Sequence, residues 1–167
     1  YLKKNFKNKI IWHLHDCWSF TGHCASFAAV NCKKWEEGCY NCPQKITYPP
    51  SILFDNCKKE YNRKKEIFSN VNNLEIIVPS KYMYENLKKS FLKNYKINLI
   101  HNGIDNNKFK PCLNNETIKT KYNIPKDKKI YLGVSNIWSK NKGLDILIEM
   151  NKRLNKDEVL VIVGLNK

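Results

Sequence analysis

Two histidines and an aspartate lie at the end of a short apolar run near the N-terminus. Residues 10–14 read Ile-Ile-Trp-His-Leu, and His15 and Asp16 follow directly. Side chains two positions apart in a strand point to the same face, so His13 and His15 would lie together. An imidazole at a strand end can bind a phosphate, orient a hydroxyl group or transfer a proton. A packed histidine bonded to a nearby carbonyl group would give the same pattern, so both interpretations stay open.

Four cysteines follow in a stretch without a regular period: Cys24, Cys32, Cys39 and Cys42. The last two form a Cys-x-x-Cys pair. Four thiolates can close a tetrahedral zinc site and stabilise a loop that has little core of its own. His23 is an alternative ligand, and four independent thiols are the simpler interpretation. A redox pair is disfavoured because Cys39 neither follows a strand nor opens a helix.

A third candidate group surrounds Lys142 and Gly143. An apolar run containing Gly133 precedes them, and Leu144 begins the apolar spacing of a helix. The free N–H groups at a helix start attract phosphate, and an ammonium group adds a charged hydrogen bond. Lys140 could supply a second cation. The alternative is a set of solvated lysines in a chain that has 30 Lys and Arg residues.

A turn is predicted at Asn102-Gly103-Ile104-Asp105. Gly103 permits a positive φ angle, and the Asp105 carboxylate can accept hydrogen bonds from turn N–H groups. The connection from there to residue 127 is irregular and contains a helical turn near residues 117–122. The composition changes here, and this segment is the candidate domain boundary.

The chain is strongly basic, with 30 Lys and Arg against 15 Asp and Glu and a net charge of +15. This charge favours nucleic acid, acidic lipid headgroups or phosphorylated substrates, although a Lys-, Asn- and Ile-rich composition is also typical of AT-rich genomes. A predicted helix over residues 55–69 is rich in basic side chains: Lys58, Lys59, Arg63, Lys64 and Lys65. It could contact an anionic membrane surface, or be an ordinary solvated face. Seven cysteines without a secretory signal indicate a reducing cytosol. Tyr1 in place of Met suggests an incomplete chain.

The order of short apolar runs and predicted helices along the chain predicts an α/β fold. Short apolar runs predict strands at residues 10–14, 74–78, 97–101, 130–134 and 159–163. A helix capped by Ser80 and another that starts at Leu144 separate them. Strands without alternation between helices are typical of parallel sheets. Residues 16–50 are long for a loop, and their aromatic side chains argue against disorder.

In this order, the motifs resemble family 4 (group 1) of the GT-B glycosyltransferases. The segment Trp12–Gly22 is similar to a strand end in the family that carries a functional histidine and then an aromatic residue, Thr and Gly. The cysteine-rich stretch ending in Cys-Pro-Gln, the Pro79-Ser80 turn, Asn-Gly-Ile-Asp and Lys-Gly follow in family order.

The resemblance implies two Rossmann-like domains with parallel sheets, which face each other across a cleft and are both incomplete here. Residues 1–110 would be the C-terminal part of the acceptor-side domain, with residues 17–50 as a cysteine-rich insertion. Residues 111–127 would link it to the start of the donor domain at 128–167. The Gly-rich loop and the acidic donor motif of the family are not found in the sequence.

The resemblance also implies the residue roles. His15 would position the sugar or the acceptor, with Asp16 as its companion. The donor diphosphate would be bound by Lys142, Gly143, Gly133 and Lys140. Val134 stands where the family commonly has Arg. The hinge and cleft border would be Asn102, Gly103 and Asp105.

The implied activity is the transfer of a sugar, with retention, from a nucleotide-sugar to a hydroxyl group of a glycan or lipid-linked acceptor, in polysaccharide or lipopolysaccharide synthesis. Catalysis would need no metal, and zinc would be structural. We expect a cytoplasmic protein, in peripheral contact with the inner membrane face, that binds no nucleic acid and is inactive as a fragment. The alternatives are a zinc-stabilised basic module that binds nucleic acid and a non-catalytic scaffold.

Overall fold

The chain forms two compact units, residues 1–104 and residues 105–167. The structure is a computed structural model that describes residues 5–47, 50–51, 53–111, 116–138 and 142–166. Each unit has its own sheet, and both sheets are parallel. This mixed α/β arrangement agrees with the parallel sheets of Rossmann-like folds that the sequence predicted. The predicted domain limits at residues 110 and 128 stay a prediction.

Three parallel strands form the sheet of the first unit in the order β1-β2-β3. They are β1 (Ile10–His13), β2 (Leu74–Val78) and β3 (Lys96–Leu99). In the register, His13 lies beside Ile77 and Ile77 beside Asn98. The carboxyl ends of all three strands therefore meet at one edge of the sheet, where open parallel sheets commonly bind ligands.

Two helices belong to the first unit, α1 (Cys57–Phe68) and α2 (Lys81–Leu87). Ser80 Oγ accepts a hydrogen bond of 3.2 Å from the Met83 N–H group, which confirms the predicted helix cap. The helix ends at Leu87. Phe91 lies in the following turn, and its ring packs edge-on against Tyr61 at 5.4 Å.

In the described residues between β1 and α1, the only regular elements are three short 3-10 turns, at Trp18–Phe20, Ala28–Val30 and Lys34–Glu36. Its core is aromatic: Trp35 stacks on Phe27 at 4.7 Å and meets Phe20 edge-on at 5.4 Å. All three rings are buried. The expectation of order from aromatic content is confirmed for the described part of this segment.

The second unit contains α3 (Glu116–Lys121), β4 (Lys129–Trp138), α4 (Leu144–Asn151) and β5 (Glu158–Asn166). β4 extends four residues beyond the predicted 130–134. Its pairing with β5 continues, after an irregularity, to the buried Trp138, whose indole N–H donates to Val163 O at 3.1 Å. Within the described ranges, no helix has the length and apolar content needed to cross a membrane.

Candidate functional site

His13 and His15 lie on the same face at the carboxyl end of β1, as the spacing predicted. The N–H of the intervening, buried Leu14 donates to Ile77 O at 2.9 Å, so strand pairing continues past the end of β1. The two imidazole centroids are 4.2 Å apart and both rings are exposed. The pair can therefore present two imidazole groups to one ligand.

Asp16 uses its carboxylate to turn the chain. Its Oδ1 accepts a hydrogen bond of 2.8 Å from the Trp18 N–H group, which begins the first 3-10 turn. Trp18 keeps 45% of its surface exposed. This geometry gives Asp16 a role in the turn that leads from β1 to Trp18, whereas its predicted catalytic role stays a prediction.

A third histidine at this edge was missed by the sequence analysis. His101 follows β3 as His15 follows β1, and its Nδ1 lies 2.9 Å from Pro79 O, just after β2. A carbonyl oxygen can only accept, so this hydrogen bond requires a proton on Nδ1. In the neutral tautomer that has this proton, Nε2 is an acceptor, for example for a hydroxyl group. The available signal was a histidine at the end of a predicted strand, residues 97–101.

Lys64 on α1 holds the turn that follows His15 in the chain, and the sequence analysis missed this role. Its Nζ donates to Trp18 O at 2.8 Å and to Thr21 O at 2.9 Å, and it lies 3.5 Å from the centre of the Trp18 ring. Only 4% of Lys64 is exposed. Burial lowers its pKa to about 8, against the opposing effect of Glu60 and other anionic groups. The basic helix is therefore not a uniformly solvated face.

The predicted hinge lies where the two units meet in sequence. Asp105 Oδ1 accepts hydrogen bonds from the N–H groups of Asn107 at 2.9 Å and Lys108 at 3.3 Å, as its predicted turn role requires. Asn102 and Gly103 are exposed. Gly103 does not have a positive φ angle, and a Cβ there would meet open space. The backbone conformation and the surrounding space therefore do not require a glycine at position 103.

Lys142 lies exposed immediately before α4, as predicted. Gly143 is the N-cap of the helix and has a left-handed φ of 74°, which favours glycine. Asp145 in the first turn brings a carboxylate near the same end of the helix, which opposes anion binding. Lys140, the predicted second cation, lies outside the described residues.

Gly133 has a packing role in the structure. It is buried within β4, and a Cβ there would lie 2.7 Å from Leu147 Cδ1 of α4 and 3.2 Å from the Trp138 ring. The glycine therefore lets α4 pack closely on the strand. Its donor-binding role stays a prediction, and Val134 beside it is exposed.

The four cysteines of the predicted zinc site line one small pocket, together with His23. All four carry free thiol groups, and Cys24 and Cys39 are buried. Burial raises the pKa of Cys39 to about 11, while an N–H···S hydrogen bond of 3.1 Å from Gly22 opposes this shift. Among the described residues, no group of three or more His, Cys, Asp or Glu side chains has the arrangement of a metal site.

Comparisons with known proteins give one informative similarity. No protein-family model and no solved structure matches the chain. A protein of Escherichia coli strain K12, named "Putative colanic acid biosynthesis glycosyl transferase WcaC", is 32% identical over 106 residues. The match covers 61% of this chain and 25% of that protein. The chain therefore resembles a protein that bears the name of a glycosyl transferase, and it spans about a quarter of that curated relative's length.

Proposed function

We propose that the chain is part of a GT-B glycosyltransferase of family 4. The whole protein would transfer a sugar, with retention, from a nucleotide-sugar to a hydroxyl group of a glycan or lipid-linked acceptor. The observation that carries this proposal is the 32% identity to the named glycosyl transferase. The order of the family motifs and the parallel sheet of each unit support it.

In this proposal the histidine edge of the first unit binds the sugar or the acceptor. His13 and His15 present two adjacent rings, and His101 contributes an acceptor nitrogen held by its bond to Pro79 O. A neutral imidazole can accept a hydrogen bond from a sugar hydroxyl, and an imidazolium can offset phosphate charge. Asp16 and Lys64 act indirectly, because both form hydrogen bonds with the Trp18 turn that follows His15 in the chain.

The second unit would stabilise the leaving nucleotide diphosphate. Negative charge grows on this group as the glycosidic bond breaks, and preorganised cations and N–H groups lower the energy of that state. Lys142 and the first N–H groups of α4 are the candidate donors. Gly143 supports them by permitting the left-handed turn into the helix. No metal ion is needed for the chemistry in this scheme.

The test uses the full-length protein encoded by the gene, since the 167-residue chain alone is expected to be inactive. UDP-, GDP- and ADP-sugars are screened for thermal stabilisation of the wild type and of Lys142→Ala. Loss of a charged hydrogen bond costs about 1.5–3 kcal/mol, which corresponds to roughly 10- to 150-fold weaker binding. Lys156→Ala, an exposed lysine in the same unit, is the control and should bind normally.

The result of this screen distinguishes a glycosyltransferase from a nucleic-acid-binding module or a non-catalytic scaffold. Stabilisation by one nucleotide class, weakened in Lys142→Ala but not in the control, would support the donor site. Release of nucleoside diphosphate in the presence of an acceptor would then demonstrate transfer. A folded protein that responds to none of the donors would contradict the proposal, and binding to DNA and RNA would be measured next.

A lysine-rich groove at the opposite, amino edge of the first sheet favours peripheral contact with an anionic membrane. Exposed side chains of Lys65, Lys89 and Lys93 line it. Each basic residue near such a surface contributes about 1 kcal/mol. We expect the full-length protein to sediment with vesicles containing phosphatidylglycerol and less with phosphatidylcholine vesicles. A triple Gln variant of these lysines should lose that preference, and an unchanged preference would exclude this groove.

A further inference from the structure

From the side chains around the cysteine pocket, we infer that the segment between β1 and α1 binds one Zn²⁺. The candidate ligands are Cys24, Cys32, Cys39, Cys42 and His23, of which four bind the ion. This inference does not depend on the proposed transferase activity. The ion would stabilise this segment and would take no part in sugar transfer.

Cysteines that are distant in sequence converge on one place in the segment. The four cysteines are spread over 19 residues, from Cys24 to Cys42, and lie outside the three 3-10 turns, yet all line the same small pocket. Single buried cysteines behave as small apolar residues and need no partner. Four thiols around one pocket match the number and chemistry of a tetrahedral zinc site.

His23 provides a second and independent observation. Its Nε2 is buried and has no hydrogen-bond partner among the described residues, and the ring lines the same pocket as the thiols. An unsatisfied buried polar atom costs about 1–3 kcal/mol. A zinc–imidazole bond would satisfy this nitrogen, so a site with three thiolates and His23 is favoured over four thiolates.

The surroundings also suit an anionic metal–thiolate centre. Gly22 N–H donates to Cys39 Sγ at 3.1 Å, the kind of outer hydrogen bond that orients a metal ligand. Lys34 lines the pocket, and its Nζ donates to Tyr40 O at 3.2 Å and to Asn41 O at 3.0 Å. The Lys34 ammonium group therefore binds the two residues between Cys39 and Cys42. Its positive charge would offset the negative charge of thiolates bound to zinc.

The segment between β1 and α1 has little regular structure that could stabilise it without a metal ion. No strand and no α-helix lies between β1 and α1 in the described residues, and the aromatic core of this segment is small. A metal can supply the folding free energy that such a loop-rich segment lacks. Because the donors are not yet arranged as a metal site, the side chains must turn inward to reach Zn–S distances of about 2.3 Å. Each thiol that binds releases one proton to solvent.

The experiment measures zinc in the full-length protein. The protein is dialysed against Zn²⁺ under reducing conditions, freed of loosely bound metal, and analysed by mass spectrometry for metal content. We expect one Zn²⁺ per chain. Cys39→Ser and Cys42→Ser should each weaken binding by roughly 100-fold, because loss of a ligand should cost at least as much as loss of an outer-shell partner, which costs about 10- to 100-fold. Cys17→Ala, which removes a buried thiol outside the pocket, is the matched control and should keep full binding.

Cobalt substitution identifies the ligand set. Tetrahedral Co²⁺ shows intense visible bands, and the sulfur-to-cobalt charge-transfer intensity increases with the number of thiolates. His23→Ala should change this spectrum if His23 is a ligand. A folded wild-type protein that binds no Zn²⁺ would overturn the inference, as would intact-mass evidence that the four thiols form disulfides under reducing conditions.

Discussion

The buried ammonium group of Lys64 makes the stability of the first unit depend on pH in a defined direction. Burial lowers the pKa of Lys64 from its ordinary value of 10.5 to about 8. The unfolded chain therefore binds more protons at this position than the folded chain between these two values. Stability rises with pH wherever the unfolded state binds more protons, so the contribution of Lys64 improves from pH 8 to pH 10.5.

The size of the effect follows from the two pKa values. Between pH 7.5 and pH 9.5 the contribution of Lys64 to the free energy of unfolding should increase by about 2 kcal/mol. Because other groups titrate in this range too, the wild type is compared with Lys64→Met. The variant lacks the titrating group, while the remaining groups contribute equally to both proteins.

The measurement is urea unfolding, followed by tryptophan fluorescence, of both proteins at the two pH values. The stability difference, wild type minus Lys64→Met, should shift by about 2 kcal/mol in favour of the wild type at the higher pH. Lys65→Met removes the exposed ammonium group at the next position and is the control, with an expected change within about 0.5 kcal/mol.

A constant difference between wild type and Lys64→Met would refute this reasoning. It would mean that water reaches the ammonium group despite its hydrogen bonds to Trp18 O and Thr21 O. The chemical shift of the Lys64 side-chain carbon next to the nitrogen gives a direct check, because it follows protonation of this one group.

Three further predictions concern close packing and a half-buried, hydrogen-bonded hydroxyl group. Gly22→Ala should unfold the cysteine-rich segment, because a Cβ would overlap the carbonyl oxygen of Cys57; limited proteolysis would show cleavage there, and resistance equal to wild type would contradict it. Tyr95→Phe should lower the free energy of unfolding by about 1–3 kcal/mol in urea, since its hydroxyl donates to a carbonyl at 2.6 Å and accepts from an N–H group at 2.9 Å. Gly133→Ala should lower the thermal midpoint, because the new methyl group would meet Leu147 Cδ1 at 2.7 Å; an unchanged midpoint would show that α4 can move aside.

The secondary structure was predicted well because its signals are local. Short apolar runs gave the five strands, and Ser80 gave a helix start that the structure confirms through its bond to Met83. The end of β4 was missed. Its last residues are held by pairing with β5 and by the indole bond of Trp138, and neither is encoded in the local pattern.

The candidate sites were only partly predictable. His15 and Asp16 are adjacent in sequence, so their shared position was evident. His101 joins them only because the strand register brings the ends of β1, β2 and β3 to one edge. Lys64 has the same sequence character as its neighbours on α1, and only its packing against the Trp18 turn distinguishes it.

The sequence by itself determined the alternation of strands and helices, the basic charge and the supply of thiol groups, because these depend on composition and short-range spacing. The tertiary structure alone decided which groups meet. It buried one lysine among carbonyl groups, left the His23 Nε2 without a partner beside four thiols, and used Gly133 for packing. Burial and proximity arise from contacts between distant segments, and these set the pKa values and binding chemistry that single positions do not reveal.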